Sequence, residues 1–513
     1  MSRKCVFAFV LALISSAYAH AGYDDLKKEF EEYKPPSYYI NRQRPPLDQA
    51  GKVADSDFID VKKRISDQKA QWERSLSFKE DKTSFFQPDP ELIERFRPAL
   101  SDTNVAAKAL GEDLSLKSLE TLTMLRNPGI KAAENRFRAA LETFSQILNL
   151  DEILRQYTAF TEGVKTGVGP MKGKDSVKMK FPFPGVLSMK AQIVDQGVRV
   201  AREDLEIARR EAVVAARKAY WNLLFVHKAE GITKETLDLL TYLEAVAITR
   251  YETGKTSYQD VVKVRIKRKT LEENLITLQE RQQNLESKIL EILNLSPGIR
   301  VGSPKEEDPS RKMPSLKHLY ATALEKRQEL RRKQALLVKM ESMIELAETM
   351  ILPPYTLNLS FYEDEAVNQV GSLAIKETFP ISTKASEGAG LPKMPWYGTN
   401  DAYIRQTRQR LLALREDLKQ AEARTSNMVR KAWFDLDRAS REISLYKKTV
   451  INLSQSAVDV STRGYESGSV TFADVIASYT IWLDARLTLE KKRSDLGIAW
   501  AELERILGTS YRY

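Results

Sequence analysis

The chain is written twice. Residues 251–262 read YETGKTSYQDVV and residues 465–476 read YESGSVTFADVI, so Tyr251/Tyr465, Glu252/Glu466, Gly254/Gly468, Asp260/Asp474 and Val261/Val475 recur in step. SLKSL at 115–119 returns as SLKHL at 315–319, and Arg217-Lys218-Ala219 returns as Arg430-Lys431-Ala432. The offsets are 200, 213 and 214, in the same order along the chain. A repeat of roughly 200 residues is far longer than a solenoid unit. It reads as a duplicated half-molecule, whose fold should carry a pseudo-twofold relation.

The chain divides accordingly. Residues 1–21 read as a secretory signal. Arg3 and Lys4 precede an apolar run, Val6 to Ile14, too short to span a bilayer as a helix, and cleavage is expected after Ala19 or Ala21. Residues 22–113 form a charged arm punctuated by Pro35-Pro36, Pro45-Pro46, Pro88 and Pro90, expected to be mostly extended with short helices. The first repeat spans 114–310 and the second 311–513, joined by a Pro/Gly/Ser-rich linker at 294–314.

The only cysteine, Cys5, lies in the signal, so thiol, disulfide and thiolate-metal chemistry are not expected of the mature chain. Net charge is +10, about +8 without Arg3 and Lys4, but 80 basic residues are interleaved with 70 acidic ones. That mixture suits solvated helix faces and argues against a nucleic-acid surface. No nucleophile–base pair is visible. GVGPMKGKD at 167–175 has the wrong spacing for a phosphate loop, with Asp175 where Ser or Thr is needed. No catalytic residue, cofactor or metal is expected.

Each repeat opens with a helical stretch (115–150; 315–348). Each closes with two long helical stretches around the Gly motif. Residues 186–250 alone would make a helix of about 95 Å at about 1.5 Å per residue. Such pairs form antiparallel coiled hairpins. Between these helices the period changes. Tyr355, Leu357, Leu359 and Phe361 alternate with Thr356, Asn358 and Ser360. Residues 372–379 set Leu373, Ile375 and Phe379 against Lys376 and Thr378. In the first repeat Val177, Met179, Phe181 and Phe183 alternate with Lys178 and Lys180, and a weaker partner lies near 154–162. Alternation of this kind is a strand signature, and apolar-out with polar-in is the wall of a membrane barrel. Tyr355, Leu357, Leu359 and Phe361 would then face lipid, and Lys178, Lys180 and Lys376 the lumen. A two-stranded hairpin capping a soluble bundle is the other reading. Four strands cannot close around a lumen, and open edges are not tolerated in lipid. A barrel therefore requires several chains, and three would supply twelve strands.

Taken together, the Asn127-Pro128 break, the paired strands, Phe181-Pro182-Phe183-Pro184, Ala219-Tyr220 and the duplicated Gly motif resemble the TolC-like outer-membrane efflux proteins over about 114–513. The resemblance implies a mainly α fold with a small β part: long helical hairpins forming a periplasmic tunnel, and a homotrimeric twelve-stranded barrel in outer-membrane lipid. It implies an exit duct of a tripartite efflux or type I secretion system, served by a periplasmic adaptor and an inner-membrane pump. The arm, the insertion near 381–399 and the missing acylated cysteine depart from the family. A periplasmic coiled-coil adaptor or scaffold, also exported and rich in hairpins, is the alternative.

Gly254 and Gly468 are expected at the ends of long helices, where a left-handed residue is wanted. Ser257-x-x-Asp260 and Thr471-x-x-Asp474 fit capping boxes for the next helices. By the resemblance, Gly254, Lys255, Thr256, Gly468, Ser469 and Val470 shape the tips that an adaptor grips, and Asp260, Asp474, Tyr251 and Tyr465 surround the closed periplasmic entrance. An Asp260–Tyr465 hydrogen bond is expected to tie adjacent hairpins.

Overall fold

The computed structural model describes residues 56–76, 84–100, 102–111, 114–148, 184–254, 256–351, 369–370, 373–374 and 396–510. The alternating stretches 154–162, 177–183 and 355–362, with Lys178, Lys180 and Lys376, lie outside them. Of the stretch 372–379, the described part Leu373–Ala374 (β2) pairs antiparallel with Gln369–Val370 (β1), Val370 opposite Leu373.

The chain divides into two compact units. One comprises Met1–Gln68, Phe144–Ile193 and Met340–Leu411 and contains β1 and β2. The other comprises Lys69–Thr143, Val194–Lys339 and Leu412–Tyr513 and contains both hairpin tips.

The described residues of the arm are largely helical. It contributes α1 (Ser56–Arg74), α2 (Pro90–Phe96) with a following 3-10 turn, and α3 (Thr103–Gly111). Asp89 caps α2 and Pro90 opens it, as a residue without an N–H can. The end of α1 is held by tertiary contacts. Trp72 Nε1 donates to Asp195 at 2.7 Å, its ring meets Phe137 edge-on at 6.3 Å, and Lys69 pairs with Glu142 at 3.1 Å.

The duplication is visible element by element. The first repeat has α4 (Leu116–Arg126), α5 (Pro128–Leu148), α6 (Pro184–Glu252) and α7 (Tyr258–Ile292). The second has α8 (Leu316–Lys326), α9 (Gln328–Ile351), α10 (Trp396–Leu445), a π-helical turn over Tyr446–Val450, α11 (Ile451–Ser467) and α12 (Phe472–Leu507). Ser115 and Ser315, 200 residues apart, each cap the first helix of their repeat through the side chain. The cores correspond too: Leu119, Leu223 and Ile289 are buried in one cluster, Leu319, Leu436 and Leu503 in the other.

The opening helix breaks in both repeats. Asn127 precedes a proline, which disfavours helical backbone before it. Arg327 precedes Gln328 yet has nearly the same dihedrals, φ −65° and ψ 121°. The single helix expected over 315–348 is thus interrupted, and the cause is tertiary. Gly508, at φ 75°, comes so close that a Cβ on it would lie 2.6 Å from the Lys326 carbonyl. Gln328 Nε2 donates to the Gly508 carbonyl at 2.7 Å. The first repeat uses the same device: Asn294, at φ 50°, follows α7, and Asn127 Nδ2 donates to the Ile292 carbonyl at 2.8 Å.

The linker runs beside the start of the first repeat. Gly302 N–H donates to Leu110, and Leu114 and Pro304 form a parallel bridge. Nearby, Arg217 is buried between Glu120 and Glu504, with Phe85 and Phe86 beneath its guanidinium at 5.8 and 5.7 Å. Burial alone would lower its pKa, but the two carboxylates outweigh that and hold it charged. Its counterpart Arg430 instead stacks on Trp433 at 5.3 Å. No described helix is long and apolar enough to cross a membrane.

Candidate functional site: the two hairpin tips

Both tips turn through a left-handed glycine. Gly254 has φ 70° and Gly468 has φ 82°. The Gly254 N–H donates to the Tyr251 carbonyl at 2.9 Å, and the Gly468 N–H to the Tyr465 carbonyl at 3.1 Å. The second turn is reinforced. Ser469 N–H and Oγ both reach the Gly464 carbonyl, at 2.8 and 3.1 Å, and Val470 N–H joins them at 3.2 Å. Lys255 lies outside the described residues.

Only one capping box forms. Thr471 Oγ1 accepts from Asp474 N–H at 3.3 Å, and Asp474 Oδ2 accepts from Thr471 N–H at 3.2 Å. Ser257 occupies the cap position of α7 with extended dihedrals but makes no side-chain capping bond. Asp260 is engaged elsewhere: its Oδ2 accepts from Thr256 Oγ1. The capping role expected of Ser257 is therefore corrected: the Asp260 N–H donates to the Ser257 carbonyl at 3.1 Å instead of the hydroxyl, and the carboxylate that would have closed the box takes the Thr256 hydroxyl.

The aromatic pairs repeat with the offset of 214. Tyr251 stacks on Tyr258 at 5.3 Å between centroids, and Tyr465 on Phe472 at 5.0 Å, with nearly equal tilts of 54° and 53°. Their surroundings differ. Tyr251 is 46% exposed and Tyr465 only 7%. Tyr465 lies in an apolar cluster with Leu243, Ala247, Val261, Phe472 and Val475, which joins the two hairpins.

Arg250 bridges them. Its guanidinium carbon sits 4.1 Å from the Tyr465 ring centroid, Nη1 donates to the Tyr465 carbonyl at 2.8 Å, and Nη2 to the Glu466 carbonyl at 3.2 Å. Those carbonyls belong to the last turn of α11, where the helix dipole favours a cation. Tyr465 Oη is buried with no hydrogen-bond partner among the described residues. The expected Asp260–Tyr465 bond is thus absent within the chain. The tyrosine contributes its face and its carbonyl, and the arginine supplies the donors. Sequence reading overlooked Arg250 because its counterpart is Gly464, and matching the repeats discards positions that differ.

The family model of the outer membrane efflux proteins matches residues 319–509. No curated protein matches the chain. Solved structures share its fold. The outer membrane protein VceC of Vibrio cholerae is 12% identical, with TM-score 0.55 over 77% of this chain and 97% of that one. CusC is 14% identical, with TM-score 0.56 over 78% and 94%. The open-state MtrE outer membrane channel of Neisseria gonorrhoeae is 14% identical, with TM-score 0.52 over 77% and 89%.

Proposed function

We propose that this chain, whose residues 319–509 form an outer membrane efflux protein domain, works as the outer-membrane exit duct of a tripartite efflux or type I secretion system. Its long helices lie in the periplasm and its substrate leaves through the outer membrane. The chain itself is passive, so the driving energy comes from an inner-membrane pump.

The finer reading is a homotrimer in which each chain lends four strands to a twelve-stranded barrel, with Tyr355, Leu357, Leu359 and Phe361 toward lipid. An adaptor grips the tips around Gly254 and Gly468, and Asp260 and Asp474 make the entrance cation-attracting. The observation that carries this reading is the duplicated pair of long hairpins ending in left-handed glycines, joined at their tips by Arg250 and the Tyr465 cluster. No feature of either hairpin favours the alternative of a periplasmic coiled-coil adaptor.

The test is cell fractionation followed by planar-bilayer recording. A salt-washed outer-membrane trimer that conducts ions supports the duct. In such trimers Asp474→Ala should weaken cation selectivity. A protein released as a soluble periplasmic monomer overturns the duct.

A further inference from the structure

The two repeats serve as each other's control, and one face breaks the match. On α7, Tyr258, Val262, Ile266, Lys269, Glu273 and Ile276 follow one another at spacings of four, four, three, four and three residues, which make a single helical stripe of coiled-coil type. The stripe is open: Tyr258 is 53%, Ile266 62% and Ile276 51% exposed. At the equivalent places on α12, Phe472 and Leu483 are buried in the cluster shared with the first hairpin, and Ile476 and Leu487 pack against it. Thr480 and Glu490 stand where α7 has Ile266 and Ile276, and Leu483 and Leu487 where it has Lys269 and Glu273, so the equivalent face is apolar and covered along α12 but open and mixed with charge along α7.

The covering face shows the reverse asymmetry. Val246 of α6 packs against that cluster, whereas its equivalent Val460 on α11 is 69% exposed, with Leu453 one heptad earlier at 66%. The seam inside the chain joins a face of the first hairpin to the stripe of α12. Moved by one repeat, the same seam would join the Leu453/Val460 face of α11 to the stripe of α7, and within one chain both of those faces are bare.

Charge distinguishes the two seams. Residues 240–270 hold seven basic and three acidic residues, and the equivalent 454–484 hold one and four. On α7, Lys263, Arg265, Lys267, Arg268 and Lys269 stand where α12 has Ala477, Tyr479, Ile481, Trp482 and Leu483. The hairpin fold does not require charge at these places, since its own duplicate has none. Arg265 and Arg268 share Glu244 at 2.9 Å each, and Lys269 takes Glu272 at 2.7 Å. Lys263 and Lys267 have no ion pair among the described residues.

We infer that the α7 stripe is covered by the acidic second hairpin of a neighbouring protomer, seated through Leu453 and Val460, and that this seam between protomers is the ionic, salt-labile one, while the seam inside the chain is apolar and tied by Arg250. The inference rests on the trimeric reading above. It adds which faces meet and which seam yields first.

The test uses the full-length protein in detergent, with a benzophenone amino acid placed singly at Ile266, Val460 or Ile476. Irradiation at 266 and at 460 should give covalent dimers on denaturing gels, with peptides linking α7 of one protomer to α11 of the next. Irradiation at 476 should give links within one chain. The dimers from 266 and 460 should be lost near 1 M salt, where the Debye length falls to about 3 Å, and in Lys263→Glu/Lys267→Glu at low salt. Links at 476 should survive both. Oligomers that persist under amine cross-linking while 266 and 460 give no dimer would overturn the seam and leave the duct reading standing. A folded protein that is monomeric throughout overturns both. Dimers indifferent to salt and to charge reversal overturn the ionic assignment.

Discussion

The guanidinium of Arg250 lies 4.1 Å above the ring of Tyr465 and donates to the carbonyl of the same residue at 2.8 Å, so one side chain grips both the aromatic face and the helix end of the opposite hairpin. The Tyr465 hydroxyl, by contrast, is buried without a partner among the described residues. Arg250→Ala should therefore cost about 1–2 kcal/mol, from the cation–π contact and the helix-end charge combined, and should raise resting single-channel conductance. Tyr465→Phe should be neutral or stabilising, because it removes an unsatisfied buried group. Thermal denaturation and bilayer recordings check both. If Tyr465→Phe opened the channel and Arg250→Ala did not, the hydroxyl would be the tie after all.

The two helix starts at the tips should respond differently. Thr471→Ala removes a formed cap and should cost about 1 kcal/mol. Ser257→Ala removes no side-chain bond and should stay within about 0.5 kcal/mol of wild type. Denaturant titration of purified protein distinguishes them, and equal losses would mean that Ser257 caps α7 in solution.

Two interior glycines make a second contrast. A Cβ at Gly497 would lie 2.3 Å from the Trp221 ring, so Gly497→Ala should destabilise by about 1–3 kcal/mol through overpacking. A Cβ at Gly231, in the middle of α6, meets nothing within 4 Å. Gly231→Ala should stabilise by about 0.5–1 kcal/mol through helix propensity. Melting temperatures should move in opposite directions.

Glu203 makes stability depend on pH. Burial pushes its pKa up to about 7, against the pull of Arg331, which pairs with it at 2.5 Å. The folded state therefore binds this proton more tightly than the unfolded state does. Between the ordinary glutamate pKa of 4.5 and about 7 the folded chain holds more protons, so this group's contribution to stability declines as pH rises. Melts at pH values across that window should show a smaller decline in Glu203→Gln than in wild type. Parallel slopes would show that Glu203 titrates normally.

The alternating stretch 355–362 supports a last contrast. If Leu357 faces lipid, Leu357→Arg should cost about 2–4 kcal/mol near mid-membrane and block assembly, whereas Asn358→Arg should be tolerated. Counting outer-membrane trimers by heat-modifiable gel mobility reads the outcome. Equal effects would mean that this stretch is not a membrane wall.

Local features were legible in the sequence because local chemistry decides them. The duplication, the length of α6, the left-handed turns at Gly254 and Gly468 and the box at Thr471 follow from periodicity and from residues within a few positions of one another. The break at Arg327 was not legible, since the backbone there yields to Gly508, about 180 residues away. The open box at Ser257 depended on the Asp260 carboxylate taking the Thr256 hydroxyl in place of the Ser257 N–H, a choice between neighbouring donors that the motif alone leaves open. The bridge from Arg250 to Tyr465 joins residues 215 apart and has no counterpart in the other repeat. By itself the sequence determined two nearly equivalent hairpins. Only the tertiary structure decided that Phe472 on α12 is buried while its twin Tyr258 on α7 is exposed, because burial depends on which surface lies opposite, and two aromatics at matching places carry no information about that.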